Sequence, residues 1–236
     1  MNADQYYNTI KDQSILVFNE SIQDLDTLGM VTDIKSNLKI WHTLTHQWQS
    51  SEMLNNALEE LDISCLHLLF GFYRSSFKSL RLAVEMICGA LYYSAFNLEY
   101  TEWEQGSKDL IWNNIVCRDN GIFSPRFSNA YFPELKDELD AFQSTTKSLY
   151  RELSEMVHGN NNTWNGENPK IEFKDDLRQK YQAYIETMSK ILNFGFSLKY
   201  LKKFDDREKE QIETYIRASI GYINNIRKEL GGPTDE

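Results

Sequence analysis

The sequence predicts an all-α protein, a single domain built as a multi-helix bundle, on three observations. Apolar residues recur at the 3.6-residue period through most of the chain, the spacing that gathers side chains on one helix face. Only four prolines and eleven glycines punctuate the 236 residues, so long elements are favoured over short ones. A composition 41% hydrophobic and 13% aromatic supplies a packed core and is not that of a disordered chain. One sizeable core suffices at this length, and no composition shift or internal repeat divides the chain sharply.

Residues 3–26 read as a first helix, with Ile10, Ile15, Phe18, Ile22 and Leu25 facing inward and Gly29 as the stop. A second helix, from about Thr32 to Gln49, carries Trp41 and Trp48. Its His42 and His46 stand at i, i+4, where two imidazoles can face one metal ion. No acidic residue between them follows the metalloprotease pattern and no third ligand is evident, so two ordinary half-buried histidines are the plainer reading. The first 50 residues are expected to form a helical extension to a main bundle of residues 51–236.

From Ser51 to Asn97 the pattern is helical with hardly a break, and Ser51 fits an N-cap. Leu61, Ile63, Cys65, Leu66, Leu68, Leu69, Phe70 and Phe72 are apolar almost all round, which predicts burial. Gly71 marks a bend or a close approach. In the second half, Arg74, Lys78, Arg81 and Glu85 fall within about a 60° sector of a helix otherwise covered by apolar residues. Charges on such a seam need partners, because burying an unpaired charge is costly. Two partnerships are open: a local Arg81–Glu85 ion pair at i, i+4, or pairing with a polar stripe elsewhere in the chain.

Residues 99–133 are the least regular, with a short helix expected over Ser107–Cys117. The loop that follows mixes Arg118 and Arg126 with Phe123, Phe127, Tyr131 and Phe132. Arginines among aromatics suit a platform for stacking unpaired bases; the same rings also serve to pin a long loop to the core. Pro133 fits the first position of the next helix, which runs through Leu135, Leu139 and Phe142 to Gly159. A polar loop follows, then two long amphipathic helices, about Lys174–Lys202 and Asp205–Leu230.

The stretch with the most chemistry is Leu149–Gly159, L-Y-R-E-L-S-E-M-V-H-G. Leu149, Tyr150, Leu153, Met156 and Val157 share an apolar face, and Arg151, Ser154, Glu155 and His158 share the other. Arg151 and His158 lie two turns apart, roughly 10 Å along the axis. The guanidinium offers fixed positive charge in a fork, and the imidazole exchanges protons near neutral pH. Together they suit work on a phosphodiester. Equally, Arg, Ser and Glu are ordinary residues for an exposed helix face, and His158 before Gly159 fits a helix C-terminus.

An arginine followed by six residues and a histidine, late in an all-helical domain, resembles the motif of the HEPN superfamily, whose members are often RNA-cleaving toxins or effectors of bacterial defence. The residue after the arginine, small and polar in most of that family, is Glu152 here. The resemblance implies a HEPN-like helical core and a metal-independent endoribonuclease that uses no cofactor. Its catalytic residues would be Arg151 and His158, assisted by Ser154 and Glu155, with RNA as substrate. One Arg and one His per chain imply a homodimer with a composite site. A cognate antitoxin or a defence-system subunit is the implied protein partner, and a non-catalytic partner or regulatory subunit with the same fold is the alternative. Glu85 and Arg81 are expected to join the site, Glu85 holding Arg151 or His158 and Arg81 adding charge for a phosphate.

The remaining features exclude more than they assign. There is no glycine-rich phosphate loop, no Rossmann fingerprint, no Cys-x-x-Cys and no Gly-x-Ser-x-Gly. Without a long apolar run or a basic-then-apolar N-terminus, no membrane span or signal peptide is expected. Three cysteines with no close pair fit reduced thiols in the cytoplasm. A net charge of −10 argues against broad non-specific coating of nucleic acid, so an RNA-acting protein of this composition needs a local basic cleft.

Overall fold

The chain begins with a reciprocal cap. The Asn2 side chain accepts from Gln5 N (2.9 Å) and the Gln5 side chain accepts from Asn2 N (3.2 Å), so a helix starts at once. The computed structural model describes residues 2–157 and 171–233, and among them every regular element is helical. Helix α1 spans Ala3–Ser21. Its inner strip is Ser14, Val17 and Ser21, whereas Ile15 and Leu25, expected inside, are exposed. A narrow, small-residue strip lets α1 lie against the turn after the third helix, with Phe18 stacked on Phe70 at 4.8 Å.

Asp24 then caps α2, Leu25–Thr45, by accepting from Thr27 N at 3.2 Å. Gly29, expected as a stop, lies inside α2. A mid-helix glycine costs only about 1 kcal/mol relative to alanine, and the Asp24 cap together with burial of Leu38 and Trp41 outweighs it. Helix α2 belongs to the common core: Trp41 packs on Phe196 and Phe204 at 5.4 and 5.9 Å between ring centroids. A division at residue 50 therefore cuts through packed side chains.

A 3-10 turn, Gln49–Glu52, leads into α3, Met53–Leu69. Ser51 is inside that turn and caps nothing. At Gly71 the backbone takes φ +77°, a left-handed conformation open to glycine at little cost, and the chain reverses into α4, Tyr73–Tyr93. A Cβ there would also press on Val17 and Ile171 at 3.1 and 3.2 Å. The α3–α4 hairpin is not buried all round as the sequence predicts. Ile63, Leu66 and Phe72 reach solvent, because α3 is covered on one side by α2 and α4 and on another only by α1.

Three short helices follow: α5 Asn97–Glu104, α6 Trp112–Ile115 and α7 Pro125–Tyr131. Ser124 caps α7 and Pro125 occupies its first turn, the position where a missing N–H does no harm. Pro133 opens a 3-10 turn to Glu138, and α8 runs Leu139–Val157. Helix α9, Asp175–Tyr200, is the central element, with every residue from 191 to 200 buried. Gly195 lets it approach α4, since a Cβ would meet Leu91 at 2.6 Å. Arg178 near its start forms an ion pair with Asp24, tying α9 to the α1–α2 turn. Asp205 and Glu208 form a capping box for α10, Asp206–Ile220, and the expected single last helix breaks at Gly221 before α11, Asn224–Glu229. No described helix is long and apolar enough to cross a membrane.

Candidate functional site

Helix α8 owes its orientation to two flanks. Leu149 and Leu153 point into the core. On the α9 side, Glu152 Oε2 accepts from Tyr184 Oη at 3.1 Å and its Oε1 accepts from Ser148 Oγ at 3.3 Å. The carboxylate that follows Arg151 in the sequence thus turns toward α9. Burial first, and Glu152 second, raise the Tyr184 hydroxyl above its ordinary pKa.

The other flank meets α4 through a closed set of polar groups. Arg81 donates to Glu85 Oε1 at 2.9 Å and to Tyr150 Oη, and Tyr150 Oη in turn donates to the same Glu85 oxygen at 2.7 Å. The Arg81 guanidinium carbon lies 4.7 Å from the centroid of the Tyr150 ring. Trp112 stacks on that ring at 3.9 Å and 14°. Burial and the Glu85 hydrogen bond raise the Tyr150 hydroxyl. Burial works against the Arg81 charge, but Tyr150 and Glu85 more than offset it and hold the guanidinium more basic than usual. Further along, Arg74 donates to the Val157 carbonyl at 2.6 Å, at the end of the described part of α8.

The charged seam of α4 therefore does face α8, but it meets Tyr150 and Val157. The expected link from Glu85 to Arg151 is replaced, because among the described residues Glu85 is satisfied by Arg81 and Tyr150. Both open partnerships of that seam are partly realised: Arg81 and Glu85 form the local i, i+4 pair, and a residue of α8 closes it. A hydropathy pattern places Tyr150 on the apolar face and misses its hydroxyl. Likewise nothing local in the sequence marks Trp112 as a cover for the Tyr150 ring.

Arg151 and Glu155 stand on the outward face of α8, with side chains 73% and 54% exposed and a 4.0 Å approach between them. Ser154 Oγ donates to the Tyr150 carbonyl at 2.7 Å, which leaves its oxygen lone pairs available as acceptors. His158 lies outside the described residues. The structure thus brings Arg151, Ser154 and Glu155 onto one stripe and groups Arg81 and Glu85 separately, on the flank.

The other sequence candidates resolve more simply. His42 Nε2 lies 3.4 Å from Glu52 Oε1 and 3.3 Å from Asn55 Nδ2, while His46 Nδ1 meets the Thr43 carbonyl at 2.7 Å, so the two rings have separate partners. No group of three potential metal-ligating side chains comes together among the described residues. The loop aromatics are not a stacking platform: Phe123, Phe127 and Phe132 are buried, and Arg126 turns outward to Asn120 at 2.7 Å. An irregular segment without long helices of its own holds its place by sinking its rings into the core. Comparison of the chain with protein families, with curated proteins and with solved structures finds no match.

One cluster has no counterpart among the sequence candidates. Lys199, in the last turn of α9, is 2% exposed, and its ammonium lies 5.8, 4.9 and 5.5 Å from the ring centroids of Phe127, Tyr131 and Tyr200. Burial, then the nearby Lys203, lowers its pKa to about 7. The sequence signal was available: a lysine inside Phe194–Leu201, otherwise apolar or small.

Proposed function

We propose that the chain is a metal-independent endoribonuclease of the HEPN type, acting in the cytoplasm as a bacterial toxin or anti-phage defence effector. The observation that carries the reading is the setting of Arg151: an exposed guanidinium on a helix whose other faces are locked into the core and against α4 and α9. Such a side chain is positioned without being used up by the fold. The motif in Leu149–Gly159 supplies the reaction class by resemblance.

In that reaction the RNA 2′-oxygen attacks the adjacent phosphorus, and the bond to the 5′-oxygen breaks. The products are a 2′,3′-cyclic phosphate and a free 5′-OH. Arg151 stabilises charge growing on the phosphoryl oxygens, and His158 takes or returns the proton of the attacking or leaving oxygen. The Ser154 oxygen and the Glu155 carboxylate orient these groups and the substrate hydroxyl. Arg81 and Glu85 act at one remove by holding Tyr150, and with it the pitch and rotation of α8. A second copy of the chain, pairing α8 with its own, brings a second Arg151 and His158 to the scissile phosphate.

A different observation favours the alternative of a non-catalytic partner or regulatory subunit. The cation of the stripe already has Glu155 beside it, and the net charge of −10 gives RNA no broad attraction. Purified protein incubated with total RNA in EDTA separates the two. Fragments ending in cyclic phosphate support the ribonuclease, and intact RNA at protein concentrations that sustain dimers supports the regulatory subunit.

A further inference from the structure

Two lysines lie against one aromatic cluster between α7 and the end of α9. Lys199 Nζ lies 4.9 Å and Lys203 Nζ 5.1 Å from the centroid of the same ring, Tyr131, so the two ammonium groups are no more than about 10 Å apart. Lys203 is exposed and also lies 5.8 Å from the Trp48 ring. Trp48 leans on Tyr200 at 4.6 Å, which joins the two ends of the cluster.

An ammonium has three N–H donors. Among the described residues, Lys199 finds one oxygen acceptor, Ser94 Oγ, at 2.5 Å. The rings offer their electron-rich faces to the ammonium. No carboxylate of the described residues pairs with Lys199 or Lys203. Glu134, on the nearby 3-10 turn, is occupied by Lys202 Nζ at 2.7 Å. Burying a cation without an anion is costly, and here a second cation stands beside the first. Among the described residues the cluster lacks a negative charge.

We propose that Lys199, Lys203 and Ser94, under the rims of Tyr131 and Trp48, form a binding site for a tetrahedral dianion such as a terminal phosphate group, free or carried by a nucleotide. The site is separate from the α8 stripe and does not rest on the ribonuclease reading. Lys203 and Tyr131, which both reach the surface, form its entrance, and Lys199 forms its floor. The titratable and charged neighbours of the floor lysine are Lys203, Tyr131 and Tyr200, beside Ser94. An anion bound there favours the ammonium form of Lys199, so its pKa rises from about 7 toward that of an ordinary lysine. Binding accordingly weakens as pH climbs above 7, where the unliganded amine has lost its proton.

The test uses the full chain and three probes: sulfate, which stays a dianion throughout, AMP, and adenosine. Lysine Cε NMR resonances follow the titration of Lys199, and calorimetry follows affinity. The expected result is that sulfate and AMP raise the Lys199 pKa while adenosine leaves it unchanged. Lys203→Ala and Lys199→Met should each weaken binding at least roughly tenfold, ~1.4 kcal/mol. Lys190→Ala, which removes a surface partner of Glu186, should bind as the parent does. If Lys199→Met does not fold, Lys203→Ala and the resonance shift in the parent protein decide. A Lys199 resonance indifferent to sulfate and AMP, adenosine acting as well as AMP, or full affinity in Lys203→Ala would each overturn the site.

Discussion

In the Arg81–Glu85–Tyr150 triangle three hydrogen bonds meet at Glu85 Oε1 and Tyr150 Oη, while the buried Arg81 Nε has no hydrogen-bond partner among the described residues. Its members are half-buried, at 24% and 19% side-chain exposure for Arg81 and Glu85, so solvent screens the pair only in part. Removing the carboxylate strands the Arg81 charge and the Tyr150 hydroxyl together. Glu85→Ala is expected to cost roughly 1.5–3 kcal/mol, the range for a hydrogen bond to a charged group. Glu155→Ala, on the exposed stripe, should stay within about 0.5 kcal/mol of the parent. Urea denaturation of the two variants measures both, and equal midpoints would contradict the account. This level was half legible in the sequence. The spacing of Arg81 and Glu85 announced an ion pair, but their third partner is a tyrosine from 65 or more residues away. Only the fold sets such a meeting.

At the scale of elements, the long helices were legible because each has a strong cue: α9 and α10 carry regular inner faces, and α10 has its capping box. The boundaries were less so. Gly29 did not stop a helix, Ser51 did not cap one, and Gly221 split the last one. At the first two places tertiary burial or a neighbouring cap outweighed a local preference worth about 1 kcal/mol, whereas at Gly221 glycine's weak helix preference prevailed. What joins the elements in the centre is Asn193. Its Oδ1 accepts from Trp41 Nε1 at 2.8 Å and from Asn37 Nδ2 at 3.1 Å, and its Nδ2 donates to Ser219 Oγ at 2.9 Å. One side chain thereby links α2, α9 and α10. Asn193→Ala leaves two buried donors without that acceptor, each costing about 1–3 kcal/mol. The expected outcome is a large fall in the urea midpoint with a changed near-ultraviolet signal from Trp41. A midpoint within error of the parent would show that the network is dispensable.

At the scale of the whole molecule, one core runs from α2 to α11, and the polar stripe of α8 rides on its outside. The all-α class followed from periodicity and the scarcity of proline and glycine, whereas the identity of the outward residues as a site rests on a short motif and a resemblance. A composite site requires two copies. Light scattering at micromolar concentration is expected to give twice the mass of the 27.7 kDa chain, and a charge reversal at Arg151 should weaken that association if α8 pairs with itself. A monomer mass would count against the composite site. The claim at the centre of the account is that Arg151 and His158 cleave RNA, and the direct measurement is a comparison of parent, Arg151→Ala and His158→Ala on total RNA in EDTA, with far-ultraviolet circular dichroism as the check on folding. The account predicts cyclic-phosphate fragments from the parent, at least a roughly hundredfold loss in each variant, the scale expected for a charge-stabilising or proton-transfer group, and unchanged helicity. Cleavage that persists in both variants, or none by the parent dimer, would contradict it.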